Sequence, residues 1–178
     1  MKQITRKTRE TDIKVQVKPG TGVASVNTGA KFLDHMMTTL ARYSGVDITI
    51  SATGDLKHHL IEDVAIALGV ALSREIPEAC ARYGNRTVAM DDALVQAVID
   101  AGGRPFYEGP LPSDLYEHWM RSFADNSKMT IHILVLRGKD RHHIVEAAFK
   151  ALGLAIRDAL VSTDTVFSTK GTVSTETS

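Results

Sequence analysis

Ile13, Val15 and Val17 alternate with polar residues in TDIKVQV (11–17), and Val46, Ile48 and Ile50 do so in GVDITIS (45–51). A period of two puts every second side chain on one face, so both stretches predict half-buried strands. Between them the period lengthens. In GAKFLDHMMTTLARYSG (29–45), Phe32, Met36, Met37 and Leu40 fall at helical intervals and the run stops near Gly45, which predicts a helix. A second helix, rich in alanine and leucine, is expected from Leu60 to Leu72.

The order then returns. ALVQAVID (93–100) reads as a strand, LYEHWMRSFADNSK (115–128) as a helix, MTIHILVL (129–136) as a strand and HHIVEAAFKALGLAIRDAL (142–160) as a helix. Ser73 to Asp91, with Pro77 and Gly84, is expected to be a seam, and GGRPFYEGPLPSD (102–114) a loop. The polar, threonine-rich stretch from Ser162 onward has the composition of a frayed end.

The repetition has a register. Gly54, His58, His59, Glu62, Leu68 and Gly69 match Gly138, His142, His143, Glu146, Leu152 and Gly153 at an offset of 138 − 54 = 84. Upstream, Asp34 and His35 match Glu117 and His118 at an offset of 118 − 35 = 83. Agreement across two helices and a strand points to a tandem duplication, and hence to a pseudo-twofold α+β fold. The seam divides one compact domain into a first half, 1–84, and a second, 85–178.

With 178 residues, 43% of them apolar, the chain has material for a real core. Basic and acidic residues each number 21, so no global field favours nucleic acid or a membrane and any anion must be held locally. One cysteine, Cys80, excludes an internal disulfide and makes a sulfur-based zinc site implausible. The first residues, MKQITRKTRE, lack the apolar core of a signal peptide, and VAIALGVAL is far short of a bilayer span. A soluble cytoplasmic protein is expected.

The duplicated His-His-x-x-Glu carries the candidate chemistry. On a helix, histidine and glutamate three or four residues apart share a face and can converge on a cation, whereas adjacent histidines must point apart. Two copies suggest two metal sites. Imidazole nitrogen with carboxylate oxygen and no sulfur suits Mn, Fe, Co, Ni or Zn. His35 and His132 would enlarge the ligand set.

Taken in order, RKTRET (6–11), FLDHMM, HHLIED, GGRP, TIHI, HHIVEAAFKAL and STKG resemble the imidazoleglycerol-phosphate dehydratase family over nearly the whole chain. The resemblance implies a duplicated α+β fold in which each half carries a four-stranded sheet with helices packed on one face. It further implies a homo-oligomer of 24 subunits built from trimers, with sites between subunits. Two Mn2+ ions would be held by His35, His58, His59, Glu62, His132, His142, His143 and Glu146. Glu10 would be the acid–base residue, with Glu146 able to assist. Arg82, Arg104, Lys150, Ser168 and Lys170 would bind the substrate phosphate. His118, although aligned with His35 by the repeat, falls outside that ligand set and is given a structural role.

The implied reaction is loss of water from imidazole glycerol phosphate to give imidazole acetol phosphate, a step of histidine biosynthesis. Two ions on the ring nitrogens would favour the imidazolate, whose electrons can expel the neighbouring hydroxyl. Three features depart from the family pattern: Tyr43 stands where a histidine is common, the loop before His58 is short, reading GDLKHHL, and Asp140 stands where asparagine is common. Two other readings stand beside this one, a dinuclear metallohydrolase and a non-catalytic metal-binding shell. Ferritin-like shells, however, place their Glu-x-x-His motifs on a four-helix bundle.

Overall fold

A computed structural model describes residues 3–168. Eight strands and four helices follow in the order β1 (Gln3–Lys7), β2 (Thr11–Pro19), β3 (Ala24–Asn27), α1 (Lys31–Ser44), β4 (Val46–Gly54), α2 (Lys57–Ser73), β5 (Tyr83–Met90), β6 (Ala93–Asp100), β7 (Phe106–Glu108), α3 (Asp114–Ser127), β8 (Thr130–Arg137) and α4 (Arg141–Ala159). The strands form two sheets of identical topology, β1-β2-β4-β3 and β5-β6-β8-β7. In each, the first pairings are antiparallel and the last, β3 with β4 or β7 with β8, is parallel. This is an α+β fold of two tandem halves.

The inner strands alternate as their sequences predict: Ile13, Val15 and Val17 of β2 and Val95, Ala97 and Ile99 of β6 are buried under the helices. The edge strands escaped the pattern. β5 occupies the expected seam and β7 the expected loop, and both correct that reading. β5 is exposed at Asn85, Arg86 and Thr87 in succession, so its packed side, Gly84, Val88 and Met90, is interrupted at Arg86 and gives no apolar alternation. α2 begins at Lys57, one turn before the predicted Leu60, which brings both histidines onto the helix. The start of the expected frayed end is tied down: Cys80 bridges Ser162, and the Thr163 N–H donates to the Ala79 carbonyl at 3.1 Å.

The helices pack crosswise, α1 on α4 and α2 on α3, and one apolar core runs through both halves. Trp119 of α3 stacks on Phe123 and meets Phe149 of α4, with ring centroids 4.9 and 4.7 Å apart. The repeated glycines sit at these crossings. A Cβ on Gly69 would lie 2.9 Å from the Phe123 carbonyl oxygen and the Ser127 nitrogen of α3, and one on Gly153 would lie 2.7 Å from the Cβ of Tyr43 in α1. Absence of a side chain lets each pair of helices approach closely, and that approach brings their first turns together. Among the described residues no helix is long and apolar enough to cross a membrane.

Candidate active site

Three groups of histidine and carboxylate atoms gather at the helix N-termini, each with its ligand atoms within 4.8 Å of one another: His35, His142 and Glu146; His58, Glu62 and His118; and Glu10, Asp55 and His59. The first two groups are related by the internal repeat. In one, α4 supplies the i, i+4 pair and α1 the second histidine; in the other, α2 supplies the pair and α3 the histidine.

The first group is the more enclosed. Glu146 Oε2 lies 3.1 Å from His35 Nε2 and 3.2 Å from His142 Nε2, while its Oε1 receives Lys150 Nζ at 3.0 Å. Burial works to raise the Glu146 pKa, but the bonds from His35 and Lys150 prevail and hold it below the ordinary carboxylate value. Lys150 therefore faces Glu146, with its ammonium 5.8 Å from the Tyr43 ring centroid. The second group is more open: Glu62 Oε2 lies 3.7 Å from His58 Nε2 and 3.3 Å from His118 Nε2. Sequence reasoning had left His118 out, although its offset of 83 from His35 was the signal.

His59 turns away from His58, as adjacent helical positions require, with the ring planes at 80°. Its Nδ1 meets Asp55 Oδ1 at 2.8 Å, and Glu10 Oε2 lies 3.6 Å away. The Asp55 bond raises the His59 pKa above that of a free imidazole and lowers that of Asp55. His143 has a parallel arrangement from different residues. Its Nδ1 meets Asp92 Oδ1 at 2.7 Å, and Asp92 Oδ2 accepts the N–H groups of Lys139 and Asp140 at 2.6 and 3.1 Å. The bond to Asp92 raises the His143 pKa. Such carboxylates fix the ring and its tautomer, and His143 Nε2 lies 3.5 Å from Oδ2 of the exposed Asp91. Asp140, the N-cap of α4, accepts the His142 and His143 backbone N–H groups.

Asp55 was within reach of sequence reasoning, four residues before His59. Asp92 was not, being 51 residues from His143. A third carboxylate, Asp63, is 7% exposed. It accepts from Arg6 Nε at 2.7 Å and from the Thr11 hydroxyl. Arg6 and Thr11 flank Glu10, so this buried charge anchors the β1–β2 turn on α2. Glu10 itself stays half-exposed at the turn's tip.

Of the candidate phosphate groups, Lys150 lies on Glu146, whereas Arg82, Arg104 and Ser168 lie elsewhere. Arg82 forks Asp100 at 2.7 and 2.9 Å, and its Nη1 donates to the Phe167 carbonyl at 3.1 Å. Arg104 contributes to lowering the Asp100 pKa, after the dominant Arg82 bond. Arg82 and Ser168 line a cavity of about 620 Å³ together with Ser73, Cys80 and Lys128. Ser73 ends α2 and His58 stands at its start, so this cavity is on the order of 25 Å, one helix length, from the histidines of α2. Lys170 falls outside the described residues. His132 projects from the outer face of β8 beside Phe106, at 5.5 Å between ring centroids, and belongs to none of the three groups.

The donors of these groups, imidazole nitrogens and carboxylate oxygens without sulfur, fit a divalent first-row ion. In the first group they converge without rearrangement of the backbone.

Comparison with known proteins places this arrangement in context. The family model described as imidazoleglycerol-phosphate dehydratase matches residues 28–156. The imidazoleglycerol-phosphate dehydratase of Aliarcobacter butzleri (strain RM4018) is 43% identical over 96% of this chain and 99% of its own length. That of Methanococcoides burtonii is 43% identical over 95% of this chain and 97% of its own. Among solved structures, IGPD from Pyrococcus furiosus in complex with (S)-C348 superposes with a TM-score of 0.86 at 41% identity, covering 95% of this chain and 99% of that one. Imidazoleglycerol-phosphate dehydratase from Staphylococcus aureus gives 0.81 at 31% identity, covering 92% of this chain and 100% of the other. Similarity of this extent, in sequence and in fold, makes the chain a member of the imidazoleglycerol-phosphate dehydratase family.

Proposed function

We propose that the protein is a hydro-lyase that removes water from imidazole glycerol phosphate to give imidazole acetol phosphate, in histidine biosynthesis. The observation that carries this reading is the pair of repeat-related His–His–Glu groups, one enclosed and one open, with Glu10 exposed nearby on a turn anchored by Asp63. Two divalent ions, Mn2+ by the family resemblance, would be held by His35, His142 and Glu146 and by His58 and Glu62. His59, His132 and His143 complete the set of eight. When bound, the ions supply Lewis-acid polarisation of the substrate's imidazole ring.

The chain's own residues do the rest. Asp55 and Asp92 hold His59 and His143 in one tautomer. Glu10 carries the proton: the carbon two positions from the ring loses its hydrogen to a carboxylate, and the hydroxyl next to the ring leaves as water. The resulting enol becomes the ketone by moving one proton. A single carboxylate can give the proton to the leaving hydroxyl and then accept the one from carbon. Glu146, engaged by Lys150 and two histidines, is the less mobile of the two acids.

Substrate phosphate would be met by Arg82, Arg104, Ser168 and Lys170, with Lys150 contributing if it leaves Glu146. Because Arg82 and the histidine groups lie at opposite ends of α2, one small substrate can touch both only where two copies of the chain meet. His132 and His143 stand outside the three groups of their own chain, and a neighbouring copy would bring their partners. An oligomer is therefore part of the proposal, 24 subunits built from trimers by the family resemblance, and chelation should loosen it.

Glu10→Gln tests the reading. Loss of turnover with Mn2+ content unchanged supports a dehydratase that uses Glu10 for proton transfer. Full turnover in the variant overturns that role.

A further inference from the structure

Glu146 and Glu62 occupy the same place in the repeat but are held differently. Glu146 is 9% exposed and has Lys150 on it, one helical turn on. In the first half the corresponding position, 150 − 84 = 66, is Ile66, which can hold nothing. Glu62 is 35% exposed, and its nearest cationic or donor group besides His58 is His118 Nε2, at 3.3 Å.

His118 Nε2 is sealed from solvent and has no aligned hydrogen-bond partner among the described residues. A buried ring nitrogen without a partner is costly, and here it stands beside the one carboxylate of its group. The ring is fixed from two sides. Its centroid lies 5.0 Å from that of His58, with the planes at 31°, and α3 is locked against α2 at the Gly69 crossing. Glu62 has the freedom that His118 lacks, since the last torsion of a glutamate is soft. A small turn of the carboxylate brings an oxygen into line with Nε2–H.

We propose that His118 is a positioning residue: it donates Nε2–H to Glu62 and so sets the carboxylate that, with His58, holds one ion. It does for Glu62 what Lys150 does for Glu146. His118 stands behind Glu62 rather than among the eight proposed ligands. This inference rests on the two-ion reading and goes beyond it by giving the open site an organising group of its own.

The test is Mn(II) titration of the metal-free full-length chain, with free Mn(II) followed by electron paramagnetic resonance, for the unaltered protein, His118→Ala and His118→Gln. Loss of a group that orients a ligand weakens metal binding by about 10–100-fold. His118→Ala should therefore weaken one of two ions by that factor and leave the other unchanged. His118→Gln, whose side-chain N–H reaches a similar point, should restore most of the affinity. A merely structural histidine would not respond in this way. Two ions bound by His118→Ala at unaltered affinity overturn the proposal. So does equal weakening in both variants, which would make the ring itself the ligand or the packing element. If the unaltered chain binds no Mn(II), the two-ion reading fails and the proposal falls with it.

Discussion

His143 and Asp92, 51 residues apart, share a bond of 2.7 Å between Nδ1 and Oδ1, and the same carboxylate receives two backbone N–H groups from the turn before α4. The β5–β6 turn thus reaches over the start of α4 and orients one of its paired histidines. In the first half the β1–β2 turn reaches the corresponding histidine, His59, but presents Glu10 at 3.6 Å. Each turn carries an exposed acid, Glu10 in the first half and Asp91, whose Oδ2 lies 3.5 Å from His143 Nε2, in the second, and the second half adds the fixed carboxylate of Asp92.

Asp92→Asn should release the His143 ring from its tautomer. Metal affinity or turnover is expected to fall by about 10–100-fold, with the thermal melting of the metal-free protein little changed. Measuring Mn(II) affinity beside turnover checks this. An unchanged affinity and rate would show that His143 is oriented without Asp92.

Asp63 makes a different prediction, because it supports Glu10 and not a ring. Replacing it by asparagine removes the charge that anchors Arg6 and Thr11 to α2. The turn bearing Glu10 should shift, and misplacement by about 1 Å can lower kcat by roughly 100-fold. Mn2+ content should stay at its normal value. A parallel loss of metal and rate would instead place Asp63 in the metal site.

Much of this could be read in the chain, and what could not has a physical reason. Alternation revealed β2, β4, β6 and β8, the four inner strands, because each packs one face on helices. It missed β1, β3, β5 and β7, which are the edges of their sheets. An edge strand such as β5 packs Gly84, Val88 and Met90 inward with exposed Arg86 between them, so no regular apolar alternation announces it. The paired histidines were legible because their spacing is local to one helix. Asp92 on His143 and Asp63 on Arg6 join distant elements, and only the packed fold brings them together.

The glycines at the crossings predict a stability effect. Ala in place of Gly69 gains about 1 kcal/mol of helix propensity, but its Cβ would press on backbone atoms of α3 at 2.9 Å, which cannot swing aside. Overpacking of this kind costs about 1–3 kcal/mol, so destabilisation should win, with a lower Tm. Gly84→Ala should be worse, since its Cβ would overlap the Ala155 carbonyl of α4. Thermal melting of both variants checks the order; a rise in Tm for either contradicts the close crossing.

Acid stability should depend on Asp100. The Arg82 bond holds its pKa below the usual carboxylate value, so its stabilisation is complete above about pH 4, the unfolded value. It is lost as pH falls through the lowered folded value. Asp100→Asn should melt a few degrees lower at pH 7, for a loss of about 1 kcal/mol. The difference from the unaltered protein should shrink below pH 4. A gap that persists undiminished in acid would assign the effect to packing and not to the ion pair.

The most direct measurement is turnover of imidazole glycerol phosphate by the purified chain, first stripped of metal and then given Mn(II), with the ketone product followed by its enol absorbance. The stripped protein should give no product, and turnover should return as two ions per chain are bound. Equal turnover without metal, or none with both ions bound, would contradict a two-metal dehydratase.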